Sequence, residues 1–203
     1  NLREYVDAIR NTERLIGGFI WDWIDQGIAR TDEQGRTYFA YGGDFGDVPN
    51  DYNFCINGLI GPDRVPHPAL LEYKYLIQPV VVEALDLEAG EVLITNRYDF
   101  ASLGGLDILW TLEEDGTVLQ SGQVAPVEIG PGQSVRLALD VEQPELLPGA
   151  EYWLNLRFAL REPSGWAEAG HLVAWEQFRM PWEASARVTR FDEMPAIVLH
   201  EST

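Results

Sequence analysis

The chain has 203 residues, 46% of them apolar, with seven Trp, eight Tyr and eight Phe. That is enough to build one large core or two small ones, and it excludes wholesale disorder. The formal net charge of −19, from 14 cations against 33 acids, excludes nucleic acid as a partner, because a phosphate backbone has to be met by a basic face.

The first element is an amphipathic helix: Leu2, Tyr5, Val6 and Ile9 recur at helical spacing, and the pattern ends near Arg14. Gly17-Gly18-Phe19-Ile20-Trp21-Asp22-Trp23-Ile24 is a nearly continuous apolar run, which predicts a strand buried on both faces, as in a parallel sheet. A long loop follows, then a second short strand around Phe54 to Ile60. The segment from Pro66 to Ile77 predicts a proline-started helix with Leu70, Tyr73, Lys74 and Ile77 on one stripe. This alternation of helix and strand is the grammar of an α/β unit.

The pattern changes at Pro79. Seven short alternating runs follow, at Val80–Leu87, Glu91–Tyr98, Leu106–Glu113, Thr117–Gln123, Ser134–Val141, Glu151–Arg161 and His171–Arg179. Asp115-Gly116 reads as a two-residue hairpin turn. Seven strands in about a hundred residues suit an immunoglobulin-like sandwich, and Leu146 to Tyr152 has the form of a tyrosine corner. Charge divides at the same place. Residues 1–78 hold seven of the 14 cations and 12 of the 33 acids, a sum of −5, which leaves −14 for residues 79–203. The acidic half reads as a solvated sandwich surface. The expected fold class is therefore α+β: a partial (β/α) barrel segment over 1–78, an all-β sandwich over 79–180, and a linker or the start of a further domain over 181–203.

Cys55 is the single cysteine, so no intrachain disulfide forms and a disulfide-stapled secreted scaffold is excluded. No apolar run is long enough to span a bilayer. With no glycosylation sequon either, the expected compartment is cytoplasmic. The opening Asn1-Leu2-Arg3-Glu4 has neither Met nor signal peptide and is read as a start that is not the native one.

Chemistry concentrates between Trp21 and Asn57, where Trp21, Asp22, Trp23 and Asp25 lead to Asp44, Asp47, Asn50, Asp51, Phe54 and Asn57. In parallel α/β folds the ligand lies beyond the carboxyl ends of the strands, where these residues fall. Aromatic faces beside carboxylates and amides suit a sugar, with the ring covering the C–H face and the polar groups bonding hydroxyls. The same spacing also reads as core tryptophans and turn aspartates. Asp44-Phe45-Gly46 spells the kinase metal triplet but lacks every accompanying kinase motif. The acids around Asp47 lack the central Gly and closing Glu of an EF-hand. His67, His171 and His200 have no metal-ligand spacing. His67 reads as a helix-start residue and Cys55 as a buried thiol.

These residues carry a resemblance. Gly17 to Gln26, Tyr41 to Asp47, Pro49-Asn50-Asp51, Phe54 to Leu59 and Asp63 to Leu70 resemble the bacterial β-galactosidases of glycoside hydrolase family 2. Trp166 to His171 resembles the family within the sandwich. The resemblance implies that the chain holds the last two βα units of a TIM-like barrel, the second sandwich, and the first residues toward the next β-domain. It implies a retaining enzyme that hydrolyses terminal β-D-galactose with two glutamates, both expected upstream of Asn1, so that no catalytic residue lies in this chain. By resemblance Trp21 is the platform under galactose, and Asn57 contacts the 6-hydroxyl and ligates sodium. The Phe54 carbonyl is a further sodium ligand, Asn50 lies near a secondary magnesium, and Asp22, Asp44 and Asp51 brace these groups. The parent is expected to be a homo-oligomer. The fragment is expected to be inactive, with residues 1–78 either poorly ordered alone or buried by self-association, since two βα units cannot close a barrel. A parent acting on another β-glycoside such as a β-glucuronide, or a non-catalytic sandwich that binds carbohydrate or a subunit, are the alternatives.

Overall fold

In a computed structural model, residues 2–185 are described. The chain forms two compact units, Asn1–Gln78 and Pro79–Thr203. No helix among the described residues is long and apolar enough to cross a membrane.

In the first unit, α1 spans Leu2–Asn11 and keeps Arg10 in its last turn, where a cation meets the negative end of the helix dipole. It stops short of Arg14 in a turn closed by Leu15 N–H donating to the Thr12 carbonyl. The predicted strand over Phe19–Ile24 does not form. Only Ile24 pairs, as an isolated parallel bridge to Ile60, which also bridges antiparallel to Pro66. Phe19 is fully exposed, and Trp21 and Trp23 are mostly so. An apolar run reports a demand for burial, but a strand also needs hydrogen-bonded neighbours, and this one finds the 54–60 segment alone. That second segment is likewise irregular except at Ile60.

The stretch expected as a loop instead holds a hairpin, with β1 (Ile28–Thr31) paired to β2 (Thr37–Ala40). Asp32 organises its turn by accepting N–H groups from Gln34 at 3.0 Å and Arg36 at 2.8 Å, while Arg36 Nε donates to it at 2.7 Å. Those bonds, the Arg36 backbone N–H first, hold the Asp32 carboxyl below its usual range. Helix α2 runs Pro68–Ile77 with His67 at its N-cap. Proline at the first helical position forfeits no intrahelical bond there.

The second unit carries all seven expected strands: β3 (Val80–Asp86), β4 (Glu91–Asn96), β5 (Leu106–Glu114), β6 (Thr117–Gln123), β7 (Ser134–Ala138), β8 (Tyr152–Leu160) and β9 (Leu172–Arg179). They form a three-stranded sheet ordered β3-β4-β7 and a four-stranded sheet ordered β6-β5-β8-β9, antiparallel throughout. Alternation decides which side chains meet between the sheets. Leu106, Ile108, Trp110 and Leu112 of β5 and Tyr152, Leu154, Leu156 and Phe158 of β8 lie side by side on the inner face of the four-stranded sheet and share one buried cluster with Val92 and Ile94 of β4 in the other sheet. Asp115 and Gly116 turn between β5 and β6 with φ of 45° and 84°, as a hairpin turn of this kind requires. Buried Asn96 is fully used, donating to the Ala101 and Ile129 carbonyls and accepting the Tyr98 N–H, each at 2.8 Å. Met180 and Trp182 are buried in the same core, so the sandwich extends past residue 180. The rest of the stretch expected as a linker lies outside the described residues from 186 onward.

The tyrosine corner forms as expected. Tyr152 Oη accepts the Leu147 N–H at 2.8 Å and donates to Glu114 at 2.6 Å. Burial, and then the Glu114 bond, push the phenol above its ordinary pKa. A raised pKa favours the protonated form in the folded state, so this contribution is whole below pH ~10 and fades as pH climbs through the raised value. Tyr152→Phe is expected to lower Tm at pH 7 by about 4–8 °C, and to remove part of the alkaline loss of stability. Thermal melts of both proteins at neutral and alkaline pH check this. Equal melting temperatures at pH 7 would show the corner to be neutral.

Candidate functional site

The site is built where two irregular segments lie side by side. Asp22 N–H donates to the Asn57 carbonyl at 3.3 Å, Gln26 N–H to Cys55 at 3.0 Å and Asp25 N–H to Ile60 at 2.9 Å. In return Leu59 N–H donates to the Trp23 carbonyl at 3.0 Å. Gly58 permits the approach. A Cβ there would sit 2.3 Å from the Asp25 nitrogen and 2.5 Å from the Ile24 carbonyl carbon, closer than any side chain tolerates.

This stitching gathers Trp21, Asp22, Phe54 and Asn57. The Trp21 ring is 79% exposed and Phe54 70%, so a planar aromatic face is open beside the Asn57 loop. The Asn57 carboxamide lies against the Phe54 carbonyl, the amide nitrogen donating to that oxygen. A neutral carbonyl next to a carboxamide is a donor set suited to a hard cation of low charge. Asp22 accepts Gln26 Nε2 at 2.9 Å through Oδ2, while its Oδ1 is buried with no hydrogen-bond partner among the described residues.

The second loop, 41–52, is held by its own side chains. Asp44 accepts the Tyr41 N–H at 2.9 Å at the start of a single turn of 3₁₀ helix over Gly42–Phe45. Asn50 donates to the Asp47 carbonyl at 3.0 Å and accepts the Tyr52 N–H at 3.1 Å, so both ends of its amide serve the loop. Gly42, with φ of 52°, lies where a Cβ would meet the Tyr52 carbonyl oxygen at 2.5 Å. Asp51 is exposed and contributes its carbonyl to Phe54 N–H at 3.0 Å. Among the described residues no three His, Cys, Asp or Glu side chains form a metal-binding group.

Two residues matter more than their spacing suggests. Asp25 is 6% exposed; its Oδ1 accepts the Gly58 N–H at 2.7 Å and its Oδ2 pairs with His67 Nε2 at 2.8 Å. His67 therefore caps α2 by position while its ring serves the site loop. Forty-two residues separate the pair, and no local pattern announces such a contact.

Residues 1–82 match the TIM barrel domain of glycosyl hydrolases family 2, and residues 92–181 match domain 4 of beta-galactosidase. Across 99% of its length the chain is 42% identical to a beta-galactosidase of Photobacterium profundum. It is likewise 42% identical, over 98% of its length, to one of Vibrio vulnificus, and 41% identical over 92% to one of Aeromonas hydrophila. The chain spans 20%, 19% and 18% of those three proteins. It belongs to glycosyl hydrolase family 2, as the C-terminal part of a TIM barrel domain followed by β-galactosidase domain 4.

Proposed function

We propose that the chain is one section of a retaining β-galactosidase that removes terminal non-reducing β-D-galactose, and that it furnishes the sugar platform and the 6-hydroxyl side of the site. The observation that carries this reading is the pairing of Asp22 N–H with the Asn57 carbonyl, which brings the backbone that follows Trp21 against that of Asn57. Trp21 covers the apolar face of the sugar, and Asn57 bonds the 6-hydroxyl. Bound sodium would add positive charge beside that hydroxyl, with the Phe54 carbonyl and Asn57 as its ligands here, and magnesium would lie near Asn50.

Retention calls for two carboxyl groups roughly 5 Å apart, one as nucleophile and one as acid and base. Three acids near the site are already engaged: Asp25 and Asp44 accept backbone N–H groups, and Asp22 holds Gln26. They brace the loops, and the catalytic pair belongs to other parts of the parent. The wholly exposed Ile16 and Phe19 support a face that the parent covers, since each large apolar side chain left in water forgoes about 1.5–3 kcal/mol.

The 203-residue chain alone is expected to hydrolyse a nitrophenyl β-galactoside no faster than the blank, whereas the full-length protein containing it turns the substrate over. In that protein Trp21→Ala is expected to lower kcat/KM by about 10–100-fold, the equivalent of the roughly 1.5–3 kcal/mol that a large apolar surface contributes when covered. Turnover by the chain alone, or an unimpaired Trp21→Ala enzyme, would defeat the reading.

A further inference from the structure

We infer that Asp25 is a positioning residue for the sodium and 6-hydroxyl end of the site, acting through the backbone of the Asn57 loop with His67 as its second anchor. The inference rests on the function proposed above. It begins from a carboxylate that is almost entirely buried yet makes two bonds to groups distant in sequence: the Gly58 N–H at 2.7 Å and His67 Nε2 at 2.8 Å. A buried carboxyl group is costly unless its oxygens are satisfied, and here one oxygen is committed to the Asn57 loop and the other to the residue that caps α2.

Gly58 directly follows Asn57, so the peptide that leaves the sugar-binding residue is the one that Asp25 grips. The carbonyl of that same peptide, on Asn57, accepts Asp22 N–H at 3.3 Å. The peptide is thus tied on both its sides to the segment that carries Trp21. His67 fixes the far end of the loop, with its own N–H donating to the Leu59 carbonyl at 3.0 Å and its ring on Asp25. The Asp25 carboxylate is committed to Gly58 and His67, so it acts through the loop. Its effect is to limit the angles at which Asn57 presents its amide oxygen, together with the Phe54 carbonyl three residues earlier. Groups that orient ligating residues in this way govern affinity for the bound ion more than the chemical step.

The test uses the full-length protein with Asp25→Ala, Asp25→Asn and His67→Ala. Asp25→Ala is expected to raise the half-saturating sodium concentration and KM by about 10–100-fold, the usual range for losing such an orienting group, with kcat at saturation little changed. Asn can still accept the Gly58 N–H and bond the His67 ring, so Asp25→Asn is expected to recover most of the loss. His67→Ala, which removes one anchor, falls between. A second readout needs no turnover: without sodium, amide exchange over residues 54–60 is expected to quicken in Asp25→Ala and to return toward wild type in Asp25→Asn. Unchanged sodium half-saturation in Asp25→Ala, a loss confined to kcat, or no recovery with Asn would overturn the inference. Should Asp25→Ala fail to fold, unchanged exchange and sodium dependence in His67→Ala would overturn it equally. A wild-type protein that cleaves no β-galactoside defeats the proposed function instead, and the exchange measurement still decides whether Asp25 holds the loop.

Discussion

Gly58→Ala is expected to pry apart the two segments that build the proposed sugar site. The new Cβ would lie 2.3 Å from the Asp25 nitrogen, 2.5 Å from the Ile24 carbonyl carbon and 2.8 Å from the Ile24 Cα. All three are backbone atoms, so no side chain can swing aside. The two segments must part, and with them go the Asp22–Asn57, Leu59–Trp23 and Asp25–Gly58 bonds. Overpacking alone costs about 1–3 kcal/mol, and each lost hydrogen bond adds roughly 0.5–1.5 kcal/mol, for a local total of about 3 kcal/mol or more.

Gly46→Ala supplies the control. Its φ is 77°, but nothing lies within 4 Å of the added carbon, so only backbone strain of about 1–2 kcal/mol opposes it. Amide exchange over residues 54–60 is expected to accelerate by roughly 100-fold in Gly58→Ala, the equivalent of its local cost, and to change little in Gly46→Ala. Equal exchange in Gly58→Ala and wild type would mean that the close approach of the two segments is dispensable.

The two halves of the chain differ in how far local sequence discloses them, and the reason is physical. In the sandwich, pairing and burial are satisfied by neighbouring strands. Alternation in Leu106 to Leu112 or Tyr152 to Phe158 therefore reports a real two-sided environment, and every strand appears where the pattern puts it. The Phe19–Ile24 run carries an equally strong demand for burial, but among the described residues its only ladder pairing is the single Ile24–Ile60 bridge, so hydrophobicity predicts a strand that does not form. The β1–β2 hairpin escapes the pattern for the converse reason. Its strands are short and, but for the Phe39–Ala40 end of β2, exposed, and the Asp32 turn that organises them shows only as an Asp followed by Gly three residues later. Within the site, Trp21 and Asn57 stand out through family resemblance, whereas the buried link from Asp25 to His67 depends on how the chain folds back on itself. Chemistry that runs through tertiary contact leaves no spacing to read.

Phe158→Ala is expected to bring the sandwich close to global unfolding. Phe158 has no exposed surface and sits on β8, which pairs with both β5 and β9; Ile108 and Ala174 are its register partners. The β8 strand thus has no free edge toward which the core can relax, and the cavity left by the ring would stay largely open. Removing a fully enclosed phenyl ring costs about 3–5 kcal/mol, against a total stability of about 5–15 kcal/mol for a domain of this size. Leu109, on the outer face of β5 and 37% exposed, gives the comparison: Leu109→Ala should cost no more than about 1 kcal/mol, because little enclosed volume is vacated. Urea unfolding of the 203-residue chain, followed by the fluorescence of buried Trp110 and Trp182, measures both. The midpoint should fall sharply for Phe158→Ala and scarcely for Leu109→Ala, with the slope unchanged if the same surface is exposed in each. A Phe158→Ala loss below about 1.5 kcal/mol would mean that the facing sheet collapses into the vacancy, and that the sandwich core is held by strand pairing more than by interdigitation of its two faces.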